Sequence, residues 1–390
     1  MNKNNVISKN PIRVALLLYT QGLDYDDRIR KEILTIQALY SNVKFEIFAV
    51  EAKNREEDGL TSYGVPYHIP YLKSREKYPS NTHTLAKAWD FYKTVNKRLR
   101  SFDAIWCADI ETFFFTLLLH GKPMLWDLHE LPTKLMGSWW RRMLFHYTER
   151  KIRVMVHANE PRLRYLQEIG MVKYPEKQYV LRNYPDFNEI DSEYDDTYHR
   201  FEQWLGNDKC VYLQGIHAVD RADEESIGAV LAIPGLKAVV VGRIGAGRMS
   251  VLEKKFGREL LLERVFFTGM QKQLKTPQYI RKCVMSLVFY KNINMNNWYC
   301  EPNRLFQNIN NGNPVVVGDN PPMKELVESY GIGVCAETDG SDKERIVLAI
   351  DKVLNNMSEF KKNLSASSGS WLWGAQEDVI KRIINSFLFE

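Results

Sequence analysis

A chain of 390 residues, 45% hydrophobic and 26% charged, has the size of two ordinary domains and a composition that excludes disorder, collagen and a small disulfide scaffold. Its 53 basic and 48 acidic side chains leave a formal charge of +5, too weak a bias to name nucleic acid as a partner, and no nucleic-acid-binding motif supports one. No window approaches the ~18 uncharged apolar residues of a spanning helix, and the opening MNKNNVISKN lacks the apolar stretch of a secretion signal, so a cytoplasmic protein is expected.

In chain order, strand-like apolar runs alternate with helix-like segments, the pattern of parallel sheets covered on both faces. The first half reads as strand RVALLLY (13 to 19), helix DDRIRKEILTIQALY, strand KFEIFAV (44 to 50), strand PYHIPY and helix THTLAKAWDFYKTVNKRLR. Strand AIWCAD, helix ETFFFTLLLH, strand PMLWDLHE, a basic helix, strand VMVHAN, helix PRLRYLQEIG and strand KQYVLRN follow. The acidic, aromatic stretch after LRNYPDF fits neither period cleanly, and the domain boundary is placed there.

The second half restarts with CVYLQG, a helix around 222 to 231, KAVVVG, VFFTG, helix TPQYIRKC, VMSLVFY, helix NRLFQNINNG, PVVVGD, helix MKELVESYG and a helix from 341 to 356. An α/β fold of two doubly wound units is predicted: an N-terminal domain over 1–190, a linker over 191–207, a C-terminal domain over 208–365 and a closing helical segment over 366–390. In that last segment Val379, Ile383, Ile384 and Phe387 recur at helical spacing and need a surface to cover them. Cys107, Cys210, Cys283, Cys300 and Cys335 lie far apart, without a CxxC or a Cys/His cluster, so neither disulfides nor a metal site is expected.

The segment CEPNRLFQNINNGNPVVVGD carries the most chemistry. Pro302 suits the first turn of a helix, Gly312 its C-terminal cap, and Pro314 the start of the next strand. The amides of Asn303, Arg304 and Leu305 would then face outward at the helix N-terminus, where the dipole and the Arg304 cation favour a diphosphate. Gln307, one turn on, is placed to hydrogen-bond ribose hydroxyls.

PNRLFQNINNGNPVVVGD resembles the donor-binding motif of the retaining GT-B glycosyltransferases of family 4. DDRIRKE, WDLHE and LRNYPD resemble that family's first-helix, HE-strand and pre-linker motifs. The resemblance implies two Rossmann-like domains facing a cleft, a last helix crossing back onto the first domain, and a nucleotide-sugar donor held by the second. It implies transfer of the sugar to an acceptor hydroxyl with retention, without a metal in most members and with no resident cofactor. UDP-sugar or GDP-sugar is the expected donor, and a glycan or lipid-linked acceptor the expected partner.

Residue by residue, the resemblance makes Arg221 and Arg304 the cations on the leaving diphosphate and His129 the histidine that contacts the transferred sugar. Gly22, in the first strand-to-helix loop, either lets the backbone approach a substrate or is a plain turn glycine. Gly215 and Gly242 stand in the same way after two strands of the second half, and Met270 and Gln271 occupy the region of the base pocket. The chain departs from the family in Gln307, where a ribose-binding glutamate is usual, and in Tyr299, where a second glutamate is common; Glu301 lies nearby, out of register. A second basic residue is usual near Ile216 and His217.

Residues 134 to 153 concentrate Lys134, Arg141, Arg142, Arg150, Lys151 and Arg153 among Trp139, Trp140, Met143, Leu144 and Phe145. This patch suits an anionic membrane surface or an acceptor, and an ordinary packed helix is the competing reading. At the level of function, an active transferase in surface polysaccharide or lipid-linked glycan assembly, peripheral at the inner membrane face, stands against a catalytically inactive GT-B subunit that binds a partner glycosyltransferase or its acceptor. A GT-B epimerase would need paired carboxylates, for which only Glu130 and Glu301 offer themselves.

Overall fold

Valine, isoleucine and leucine runs that bury both faces have one stable arrangement, a parallel sheet between helices, and the computed structural model builds two of them. It describes residues 11–20, 22–79, 82–186, 194–215 and 219–390. The chain divides into two units, one of residues 1–182 with 376–390 and one of residues 183–375.

The first unit holds β1 (Ile12–Tyr19), β2 (Val43–Val50), β3 (Glu57–Leu60), β4 (Pro66–Ile69), β5 (Ala104–Ala108), β6 (Met124–Leu128), β7 (Val154–His157) and β8 (Gln178–Val180). Their order is β3-β4-β2-β1-β5-β6-β7-β8, parallel throughout except for the β3–β4 edge pair. The strand β3, EDGL, was not expected: an exposed edge strand carries no apolar run to betray it. Helix Glu377–Ile384 lies in this unit, where Ile380, Ile383, Ile384 and Phe387 are buried. Arg153 Nη1 donates to the Phe387 carbonyl at 3.1 Å, and the Trp106 and Phe387 rings meet edge-on at 6.4 Å.

The second unit holds β9 (Lys209–Gln214), β10 (Leu236–Val241), β11 (Val265–Gly269), β12 (Met285–Val288), β13 (Val315–Val317) and β14 (Gly333–Cys335), all parallel in the order β11-β10-β9-β12-β13-β14. Alternation along each strand divides the core: Val211, Leu213, Leu287 and Phe289 pack on one side, Cys210, Tyr212, Val288 and Tyr290 on the other. The unexpected β14 is three residues long, and its Gly333 is required because a Cβ there would lie 2.0 Å from the Val315 carbonyl oxygen.

Part of the stretch assigned to a linker is folded. Helix Asp196–Leu205 opens with the Asp195 carboxylate accepting from the Tyr198 amide at 2.9 Å, and it buries Tyr198, Phe201 and Leu205 against the second sheet. Its aromatic residues at positions i and i+3 are a core face that the surrounding acids concealed; 191–193 lie outside the described residues. Helices Ala246–Phe256, Arg258–Arg264 and Met357–Ala366 were likewise not expected, being polar and, for the first two, broken by glycine. No helix among the described residues is long and apolar enough to cross a membrane.

Candidate functional site

In an open parallel sheet the strand order reverses at one point, and the crevice beyond the carboxyl ends of the two strands there is the natural ligand site. In the second unit that point lies between β9 and β12. The strand ends turn away sharply: Gly215, Gly242 and Gly269, after or at the ends of β9, β10 and β11, have φ of 65°, 127° and 71°. A side chain is disfavoured there by conformation, since a Cβ on Gly215 or Gly242 would meet its nearest neighbour only at 3.8 or 3.5 Å.

Beside these turns is a cavity of about 700 Å³. Six of the expected donor-binding positions meet at it, Gly215, Gly242, Met270, Gln271, Asn303 and Gln307, together with the expected catalytic cation Arg304. Gln214, Arg243, Gln273 and Thr276 also line it and were missed, because each is an ordinary polar residue at a strand end, turn or helix start with no motif to mark it. Leu305 does not line the cavity: its side chain is fully buried in the core and its amide donates to the Pro302 carbonyl at 2.9 Å, so that amide is not available to an anion. Glu301 is half-buried just ahead of Pro302 and is not among the lining residues.

Helix Asn303–Asn310 begins at the expected residue, with Pro302 as its cap and not in its first turn. Arg304 is 8% exposed and donates from Nη1 to the Gln214 carbonyl and from Nη2 to the Phe289 carbonyl, the latter at 3.0 Å. Those carbonyls end or follow β9 and β12, so the guanidinium stitches the switch point together. Among the described residues no carboxylate pairs with it, and burial together with the charge of Arg221 holds its pKa below the ordinary arginine value. Arg221 is not among the residues that line the cavity, and among the described residues its only carboxylate is that of its neighbour Asp220, at 3.7 Å. Both guanidiniums lie over the ring of Tyr290, with carbon-to-centroid distances of 3.8 Å for Arg221 and 4.9 Å for Arg304. Among the described residues the Nε of each is buried without a hydrogen bond. Gln307 is 7% exposed, and its carboxamide makes no hydrogen bond among the described residues. A buried cation at the cavity wall, a second cation beside it, a helix start and an open amide have the chemistry to hold an anion with a polar flank. Ile216 and His217 lie outside the described residues.

His129 and Gly22 belong to the first unit. His129 Nε2 lies 2.9 Å from Asp127 Oδ2, and Nδ1 lies 3.9 Å from Asp109. Asp127 is fully buried and held by Arg28, with Nε and Nη2 at 3.3 and 2.9 Å, while Arg28 Nη1 donates to the Leu181 carbonyl. Burial disfavours charge on His129, but the Asp127 carboxylate outweighs it and the pKa is pushed up to about 9. Burial and Asp127 push the Glu32 carboxyl, 3.0 Å from Arg28, up to about 8. The DDRIRKE motif is thus a buried charge network behind the histidine. At Gly22 the φ of 175° is extended backbone that any residue adopts, so no conformational need for glycine exists there.

The basic helix runs from Trp139 to Lys151. Trp139, Trp140, Met143 and Tyr147 are exposed, 74% for Trp139, and the Arg141 guanidinium lies 5.0 Å over the Trp140 ring. Phe145 is fully buried and unavailable to any surface partner. Arg142 is half-buried and spent inside the unit, donating to the Ile169 carbonyl at 2.5 Å.

No family model matches the chain, and no curated protein is similar to it in sequence. Solved structures are similar in fold. HepE of Anabaena in complex with UDP superposes with a TM-score of 0.71 at 15% identity, over 95% of this chain and 100% of that one. The sucrose-phosphate synthase of Thermosynechococcus elongatus gives 0.71 at 12%, over 95% and 98%. A UDP-N-acetylglucosamine 2-epimerase gives 0.62 at 12%, over 97% and 96%. Likeness at this level of identity is likeness of architecture, and the epimerase shows that one architecture hosts different reactions. The chain is an α/β protein of two Rossmann-like units with the GT-B fold.

Proposed function

We propose that the protein is a glycosyltransferase that binds a nucleoside-diphosphate sugar in the cavity of the second unit and transfers the sugar to an acceptor hydroxyl. The observation that carries this reading is Arg304, buried at the cavity wall without a carboxylate and joined over Tyr290 by Arg221. Charge develops on the diphosphate as the bond to the sugar breaks, and fixed cations in a dry site stabilise that charge. Gln307 faces the same cavity and suits ribose hydroxyls. The motif resemblance supports a UDP-sugar or a GDP-sugar, and the fold of HepE, solved with UDP and with UDP-glucose, favours the UDP-sugar. Retention of configuration and independence of metal rest on the resemblance; the two arginines supply the neutralising charge that a metal supplies elsewhere. His129, kept cationic by Asp127, is the group we assign to the transferred sugar. The exposed tryptophan face of helix Trp139–Lys151 suits attachment to an anionic membrane surface, and with it a role in lipid-linked glycan or surface polysaccharide assembly.

A thermal-shift panel of UDP, GDP, CDP, ADP and dTDP tests the site, since a ligand at 100 times its dissociation constant adds ~2.7 kcal/mol of stability. One clear responder is expected, followed by release of sugar from its donor. No responder would overturn the reading. Binding without hydrolysis or transfer would favour the inactive-subunit alternative, to which Gln307 in place of the family glutamate points.

A further inference from the structure

We propose that Tyr290 is a positioning residue that holds Arg221 beside Arg304, the buried cation of the cavity wall, and that this spacing makes the site select a nucleoside diphosphate over a monophosphate. The inference rests on the nucleotide reading above.

The placement begins with strand alternation. Leu287 and Phe289 face one side of the second sheet, Val288 and Tyr290 the other, so the Tyr290 ring falls on the side that carries Leu305 and Phe306 of helix Asn303–Asn310. It is 6% exposed and cannot swing into solvent. The Arg304 and Arg221 guanidiniums both lie over it, at 4.9 and 3.8 Å. Two like charges brought together away from water repel, and side chains as long as arginine ordinarily splay apart to avoid this. Among the described residues no carboxylate bridges these two. Asp220, beside Arg221, accepts from Asn297 Nδ2 at 3.2 Å, and among the described residues Arg304 is anchored only to the neutral Gln214 and Phe289 carbonyls. What stands in for an anion is the aromatic face, whose quadrupole attracts a cation most strongly where water is excluded. Because the ring has no net charge, it can hold the guanidiniums in place without neutralising them, so their charge is left for the ligand. A carboxylate in its place would compete with the phosphates. A diphosphate can answer both cations, whereas a monophosphate answers one and leaves the other facing its like-charged neighbour.

The test is titration calorimetry with UDP and UMP, or with the corresponding pair for whichever base the protein prefers. It compares the natural protein, Tyr290→Phe, Tyr290→Leu, and a series in which position 290 carries phenylalanines of increasing ring fluorination. The fluorinated rings keep the shape that folding needs and progressively remove the negative face. Tyr290→Phe is expected to keep the diphosphate preference. Along the fluorinated series the UDP affinity is expected to fall stepwise to a loss of about tenfold, with UMP affinity nearly constant, so that the UDP/UMP ratio collapses; Tyr290→Leu is expected to match the most fluorinated ring. A UDP/UMP ratio that stays flat along the series, or equal losses for both nucleotides, would overturn the proposal while leaving the nucleotide site in place. Failure of the natural protein to bind any nucleotide would overturn both.

Discussion

His129 illustrates how one buried carboxylate sets the state of a functional side chain. Burial works against its charge, Asp127 overrides this, and Arg28 keeps Asp127 ionised and aimed. The imidazole is therefore expected to stay protonated through pH 7.5, and an NMR titration should place its midpoint near 9; a midpoint near 6.5 would show that the Asp127 contact does not hold in solution. Because the folded pKa is raised, the stabilisation is complete below the unfolded value near 6.5 and is lost as pH rises through 9. The raised carboxyl of Glu32 acts in the same direction. The melting temperature of the first unit should thus fall between pH 6.5 and 9, by at least ~2 °C given the usual 2 to 4 °C per kcal/mol. Asp127→Asn, which leaves Arg28 buried without its anion, should cost ~3 to 5 kcal/mol and flatten that slope. In the second unit Arg304→Ala should weaken nucleotide binding by ~1.5 to 3 kcal/mol, the range for hydrogen bonds to charged groups, with Arg221→Ala similar. Unchanged UDP and GDP affinity in both would remove the arginines from the site.

Elements shape the site through their ends. The glycine turns after β9 and β10 differ in kind: Gly215 at φ 65° is in the left-handed region that alanine tolerates with strain, while Gly242 at 127° is outside it. Gly215→Ala should therefore destabilise by ~1 kcal/mol and Gly242→Ala by ~2 kcal/mol or more, measured by denaturant unfolding. The reverse order would mean that contact, not conformation, governs these positions. Helix Trp139–Lys151 presents Trp139, Trp140, Met143 and Arg141 outward, while Phe145 and Arg142 serve the interior. A Trp139→Ser, Trp140→Ser, Arg141→Glu variant should keep its fold and lose co-sedimentation with anionic vesicles. Pelleting equal to that of the parent, or no preference for anionic over neutral lipid, would assign the patch to a different partner.

At the scale of the whole molecule the chain passes between its units twice, after Arg182 and before Gln376, and the two passages are tied. Gln376 accepts from the Arg182 amide at 2.7 Å and donates to its carbonyl at 2.8 Å; on the other side, the Trp373 amide donates to the Pro185 carbonyl at 2.8 Å. The last helix thereby completes the core of the first unit, with Phe387 fully buried against Trp106. Phe387→Ala should cost ~3 to 5 kcal/mol and lower only the transition of the first unit. By calorimetry the nucleotide-responsive transition of the second unit should stay where it was; a shift of both together would mean that the units unfold as one.

Much of this was legible in the sequence, for a physical reason. Strands buried on both faces must be apolar along their length, so RVALLLY, KFEIFAV, KAVVVG and PVVVGD by themselves specify a doubly wound fold. Helix Asn303–Asn310 was bounded by Pro302 and Gly312, residues whose backbone preferences act locally. Where the signal was not local, the reading stopped. The edge strand Glu57–Leu60 exists only because β4 pairs with it, and helix Asp196–Leu205 is secured by the sheet beneath it. Gln214, Arg243, Gln273 and Thr276 become neighbours because three separate segments converge at the ends of parallel strands. Leu305 and Phe145 sat in suggestive motifs, yet helix rotation turned them inward. Above all, Tyr290 was an apolar residue at the end of a strand until tertiary structure set Arg221 and Arg304 over its ring. Composition and periodicity determine which surfaces must be buried; which charges then find themselves without a counter-charge is decided only when distant segments pack.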